Sequence, residues 1–152
     1  MTTEQALLAA GCFWGVQKRF STLAGVIRTC VGYTGGHFDQ PTYPIVCRGD
    51  SGHAEAIRIE FDTSVIDYRS LLHFFFNSHN PTTLNAQGPD HGSQYRSAIF
   101  YFNATQQRIA LEVIKQLNQK SCFASPIVTE VTAAGPFFQA EQYHQDYWLK
   151  NR

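Results

Sequence analysis

Residues 6–15, ALLAAGCFWG, constrain this chain more than any other stretch. A five-residue apolar run is short enough for a buried strand, and it ends at Gly11. Val16, Phe20 and Leu23 then recur at helical spacing, so a helix starts at or just after Cys12. A strand that feeds a helix through a glycine must turn sharply, and the chain puts a thiol and two large aromatics at that turn. Residues 26–33, VIRTCVGY, rich in β-branched residues, read as the returning strand.

The same alternation of elements continues. Residues 55–62, EAIRIEFD, put Ile57, Ile59 and Phe61 on one face and Arg58, Glu60 and Asp62 on the other. Ser64 with Asp67 resembles a capping box, opening a helix whose apolar face is Tyr68, Leu71, Leu72, Phe75 and Phe76. RSAIFYF (96–102) is a strand. Asn103 caps a helix with the stripe Ala110, Val113, Ile114 and Leu117, and PIVTEV (126–131) is a last strand. The tail from 140 is a short helix or ordered coil. Two long loops, 34–52 and 78–95, interrupt the pattern, the first with one helical turn near PIVC, and loops of that length in a compact domain are usually functional or disordered. The order predicts an α+β domain, a split βαβ layout with helices on one face of a mixed sheet, and one domain over 1–152.

Composition narrows the function. Formal net charge is zero, with no basic run, which argues against nucleic acid or an anionic membrane as partner. The polar start MTTEQ and the lack of a long apolar run predict neither a secretory signal nor a membrane span, hence a cytoplasmic protein with reduced thiols. Cys12, Cys30, Cys47 and Cys122 include no CxxC pair, and the histidines form no HxxxH or HExxH, so neither a dithiol motif nor a metal site is indicated.

Cys12 stands where exposed N–H groups and the positive helix end favour a thiolate. A small buried packing residue is the plain alternative. Phe13 and Trp14 point about 100° apart on a helix, so at least one is free to wall a pocket. Glu55 shares the parity of Ile57, Ile59 and Phe61, which predicts a buried carboxyl with a raised pKa, able to act as a general acid. It would be exposed if the strand began one residue later. The loops add Tyr43, Tyr95 and Asp90, phenols and an acid whose spacing alone does not bring them to Cys12. A Cys–His hydrolase pair using His53 or His91 is the alternative enzyme chemistry, and a binding module without turnover the alternative class.

GCFWG, VGYTGG (31–36), PTY (41–43), GHAE (52–55), HNPTTLNAQG (79–88), DHGSQYRSAIFY (90–101) and AEQYHQDY (140–147) run in order along the chain. Together they resemble the A-type peptide-methionine sulfoxide reductases. The resemblance implies a two-layer α/β sandwich with a ferredoxin-like core. It also implies reduction of the S epimer of methionine sulfoxide, free or in oxidised proteins, without a cofactor, by a protein expected to act as a monomer. By resemblance Cys12 is the nucleophile, Phe13 and Trp14 hold the methyl group, and Glu55 protonates the oxygen. Tyr43 and Tyr95 hydrogen-bond that oxygen, and Asp90 supports the pocket. Asn80 and Pro89 depart from the usual Asp and Asn. The last residues, Leu149 to Arg152, include none of the tail cysteines that many members use to resolve the sulfenic acid. The expectation is therefore that no internal disulfide forms and that an outside thiol, thioredoxin or glutathione with glutaredoxin, regenerates Cys12. Cys122, in the turn after the third helix, is the alternative resolving thiol.

Overall fold

The structure, a computed structural model, describes residues 2–150; Met1, Asn151 and Arg152, on which parts of the expectations about both ends fall, lie outside the described residues. The chain forms β1 (Thr3–Ala10), α1 (Phe13–Ser21), β2 (Val26–Thr34), α2 (Tyr43–Cys47), β3 (Ala54–Asp62) and α3 (Tyr68–Asn77). A hairpin of β4 (Ala86–Gln87) and β5 (Asp90–His91) follows, then β6 (Ser97–Tyr101), α4 (Ala104–Gln119), β7 (Glu130–Ala133), β8 (Phe137–Gln139) and α5 (Tyr147–Lys150).

One sheet has the order β7-β6-β1-β3-β2-β8. The four long strands pair antiparallel, and β7 joins β6 parallel, so the sheet is mixed as expected. The inward parity of β1 and β3 (Ala6, Leu8 and Ala10; Ile57, Ile59 and Phe61) forms one core with Phe13, Val16 and Phe20 of α1, the predicted face of α3, and Ala110 and Val113 of α4. The helices therefore share one face, which makes two layers. Opposite, Leu7, Ala9, Ala56, Ala98 and Phe100 form a second cluster, and the loop after β2 lies against it.

Several local expectations shift. Ser64 does not cap α3: its hydroxyl donates to Asp62 Oδ1, and Asp67 is the cap, accepting from the Ser70 N–H at 2.8 Å. The β-branched run from 126 is not yet strand, because the Ile127 N–H goes to Asn118 Oδ1 and the Val128 N–H to the Pro81 carbonyl; β7 starts only at Glu130. Asn103 does cap α4, accepting from Gln106. Cys30 lies opposite Arg58 in the β2–β3 register, half-buried and on the face away from the helices.

Gly11 makes the β1–α1 turn. Its φ is +98°, and a Cβ there would sit 2.8 Å from Gln87 Cγ. Gln87 cannot yield freely, because its side-chain amide bonds both the N–H and the carbonyl of Asn80. Gly11→Ala is expected to cost about 1–3 kcal/mol in chemical denaturation, from strain and displacement of the hairpin. A loss below about 0.5 kcal/mol, the range of an ordinary surface change, would show that neither constraint holds.

Candidate active site

Cys12 is the N-cap of α1, and the backbone N–H groups of Trp14 and Gly15 face its sulfur. Burial nevertheless pushes the thiol up, against the pull of the Trp14 N–H, and Glu55 and Asp90 add to the rise. The helix end pulls toward a thiolate, as the sequence indicated, but it does not act alone. Desolvation and two carboxyls outweigh the helix end, and both carboxyls come from elements distant in sequence.

Glu55 is 1% exposed in the apolar face of β3, as its parity predicted. Its Oε1 accepts from the Phe13 N–H at 3.1 Å, while Oε2 is buried with no partner. Burial raises its pKa to about 7, the Phe13 N–H opposes this, and the charge of Asp90 adds to it. One oxygen is therefore fixed beside the residue that follows Cys12, and the other is free to hold or give a proton.

The raised pKa makes stability depend on pH. A carboxyl bound more tightly to its proton in the folded state contributes fully below the unfolded value of 4.5, and that contribution is lost as pH rises through about 7. The loss is about 3 kcal/mol at most. Glu55→Gln removes this dependence, so it is expected to gain stability relative to the parent between pH 5 and pH 8 in urea denaturation. An equal difference at both pH values would count against a buried, proton-holding Glu55.

Tyr43 opens α2, its phenol beside the Cys47 thiol and its N–H donating to Glu141 Oε2 at 3.0 Å. Tyr95 ends a 3-10 turn, and Asp90 sits in β5. Burial raises both phenols, Tyr95 to about 12, with Glu55, Cys47, Asp90 and Cys12 all acting on Tyr95. Both remain neutral donors through the physiological range. The two long loops thus bring Tyr43, Tyr95 and Asp90 into the electrostatic reach of Glu55, which spacing alone did not indicate.

The aromatic pair divides as its 100° separation requires. Phe13 is buried against Tyr33, with ring centroids 5.7 Å apart. Trp14 is half-buried, stacked on Tyr147 at 3.8 Å and 8°, with Tyr43 at 6.3 Å. Its Nε1–H donates to His144 Nδ1 at 2.8 Å, which leaves the proton of a neutral ring on Nε2. His144 is fully buried, and burial lowers its pKa against the charge of Glu141. It also lies 4.3 Å from Tyr43 and 5.1 Å from Phe13.

Sequence reasoning gave no role to His144, Glu141 or Gln145. Glu141 accepts from the Tyr33 hydroxyl and the Tyr43 N–H, and the Gln145 amide bonds both backbone groups of Val31. Their clustering in AEQYHQDY was the available signal. Asn80 caps its own turn, its Oδ1 accepting from the Thr82 N–H and hydroxyl, so the Asp-to-Asn departure keeps an acceptor in place. Pro89 is exposed at the tip between β4 and β5.

Cys122 lies in the exposed turn after α4, its N–H bonded to the Leu117 carbonyl, and among the described residues no hydrogen bond ties it to this cluster. His53 is held by the Gly36 N–H and the Phe38 carbonyl, and His91 is exposed, so neither is placed as the base of a Cys–His pair. Among the described residues no three His, Cys, Asp or Glu side chains gather as a metal site, and no helix is long and apolar enough to cross a membrane.

The family model described as peptide methionine sulfoxide reductase matches residues 4–152. The chain is 54% identical over 147 residues to the peptide methionine sulfoxide reductase MsrA of Methanococcoides burtonii, covering 97% of this chain and 96% of that protein. It is 51% identical to that of Methanosarcina acetivorans, covering 97% and 78%. Its fold is similar to methionine sulfoxide reductase A of Corynebacterium diphtheriae, with a TM-score of 0.92 at 34% identity over 98% of this chain and 75% of that one. It is equally similar to reduced Mxr1 of Saccharomyces cerevisiae, with a TM-score of 0.92 at 33% identity, over 98% and 86%.

Proposed function

The chain belongs to the peptide methionine sulfoxide reductase family, and we propose that Cys12, Glu55, Tyr43, Tyr95 and Asp90 carry the reduction of the S epimer in this member. The observation that carries the assignment is Glu55: a buried carboxyl, pinned by the N–H next to Cys12, with its second oxygen unpartnered.

A sulfoxide sulfur is a poor electrophile until its oxygen gains positive partners. Tyr43 and Tyr95 donate to that oxygen, and Glu55 supplies the proton. The Cys12 sulfur, its own proton passed to Glu55, attacks the substrate sulfur. An S–S bond forms in the adduct; the protonated oxygen then passes to the Cys12 sulfur as the substrate's S–O bond and the new S–S bond break, which leaves a sulfenic acid on Cys12 and releases the substrate as methionine. Atoms balance: thiol plus sulfoxide gives sulfenic acid plus thioether, with Cys12 oxidised by two electrons. Trp14, backed by Tyr147 and His144, and the buried Phe13 form the apolar wall for the methyl group. Asp90 acts through the charge it adds at Glu55 and Cys12. Substrates are free methionine sulfoxide and oxidised proteins. Thioredoxin, or glutathione with glutaredoxin, then reduces the sulfenic acid, with no internal disulfide.

The test is incubation with dithiothreitol and racemic methionine sulfoxide. Methionine should form until half the sulfoxide, the S epimer, is gone. Equal consumption of both epimers would overturn the selectivity, and no methionine at all would favour a module that binds without turnover.

A further inference from the structure

Arg19 differs from the other described arginines. Arg28, Arg48, Arg69, Arg96 and Arg108 pair with carboxylates, and Arg58 lies over the Phe137 ring. Arg19 makes no such pair among the described residues, and its Nε is buried without a hydrogen-bond partner. A half-buried guanidinium left unpaired has given up part of its hydration, so it favours any anion within reach.

Helix geometry shows which anion that is. Residue 19 follows residue 12 by about two turns, so the two share a face of α1. Long helical side chains lean back toward the N-terminus, here toward Cys12. Gly15 lies between them on the same face. A Cβ at Gly15 would sit 3.4 Å from Arg19 Nη1, and the Gly15 N–H faces the Cys12 sulfur. Gly15 thus borders both groups: it puts no side chain beside Arg19 Nη1, and its N–H faces the sulfur. Around the sulfur stand Glu55 and Asp90, both anionic when ionised, and the neutral phenol of Tyr95. His79, held by the Phe75 carbonyl at 2.7 Å and Ser97 Oγ at 2.8 Å, is pushed down to about 4 by burial, with the Arg19 charge adding to the fall. It is neutral when the enzyme works, so it does not compete with Arg19 as a cation.

We propose that Arg19 is the positive charge that holds the anionic forms of Cys12, the thiolate before oxygen transfer and the sulfenate after it. It is a supporting residue that touches no substrate atom. This rests on Cys12 as the nucleophile, and it gives the thiol a counterweight to two neighbouring carboxyls.

The experiment is the rate of Cys12 alkylation by iodoacetamide against pH, read by peptide mass spectrometry in the parent, Arg19→Met and Arg19→Lys proteins. With Met, the midpoint should move up and the rate at pH 8 should fall about three- to tenfold, the size of a shift of half to one pH unit. Lys should restore most of the rate, and molar salt should shrink the gap between parent and Met. Unchanged alkylation with Met, or equal losses with Met and Lys, would overturn the proposal, since the second pattern belongs to packing rather than charge. The two readings fail separately. Charge-dependent alkylation in a protein that releases no methionine would sink the reductase assignment alone. Normal turnover with alkylation indifferent to residue 19 would sink the role of Arg19 alone.

Discussion

Cys12→Ser abolishes methionine formation while leaving the protein folded. The effect exceeds about 10³-fold, because two barriers act together. A hydroxyl at neutral pH is a far weaker nucleophile than a thiol with any thiolate fraction. Oxygen transfer also needs an atom that can be oxidised: sulfur accepts the oxygen as a sulfenic acid, whereas a serine oxygen would have to become a hydroperoxide. The measurement is methionine released from excess sulfoxide with dithiothreitol, beside a denaturation curve to show that the variant is folded. Retention of even a few per cent of the parent rate would move the nucleophile to another residue, and Cys47, exposed beside the Tyr43 phenol, would be the first to examine.

Glu55→Gln is the second large effect. The amide keeps the size of the side chain and can still accept from the Phe13 N–H through its oxygen, so the β1–α1 turn should hold. It cannot deliver a proton. Single-turnover reduction is expected to fall about 10²- to 10⁴-fold, the usual range for loss of a positioned acid, while substrate still binds. Stopped-flow mixing with one equivalent of sulfoxide, without reductant, isolates this step from regeneration. A rate equal to the parent at neutral pH would end the acid role. The same variant is expected to gain stability relative to the parent as pH rises from 5 to 8, a pairing of lost activity with a pH-dependent stability difference that a purely structural glutamate would not produce.

The fold was legible where one face of an element is buried and the other is not. α3 carries that asymmetry along its length and β3 carries it from Ile57 on, where buried and half-buried residues alternate, and Glu55 could be placed from that parity. β8 and the β4–β5 hairpin were not legible, because strands of two or three residues have no period to read; their register comes from Gly32, Tyr33 and Thr34 in one case and from each other in the other. PIVTEV misled through composition: β-branched residues mark a strand only where their backbone finds a neighbouring strand, and at 127 and 128 it found a side chain and a loop carbonyl. In the site, Cys12 and Glu55 stood out from local pattern. His144 did not, since its partners lie at positions 13, 14 and 43. The opposing pull of Glu55 and Asp90 on the thiol was not legible for the same reason, as both act across long separations.

The segment that ends at Tyr147 also sets an order of events during synthesis. The thiol is made at position 12, but Trp14 finds its His144 partner 130 residues later, and Val31 finds Gln145 114 residues later. At typical elongation rates the ribosome needs on the order of ten seconds to cross that interval. Until then the indole has no acceptor there, and the Val31 edge of β2 is unpaired, a surface on which another strand can add. The nascent chain thus carries the Cys12 thiol before the aromatic cluster beside it is complete. Reductase activity should appear only when the last turn of the segment docks, and a chain stalled short of residue 145 would be both inactive and prone to associate through that edge.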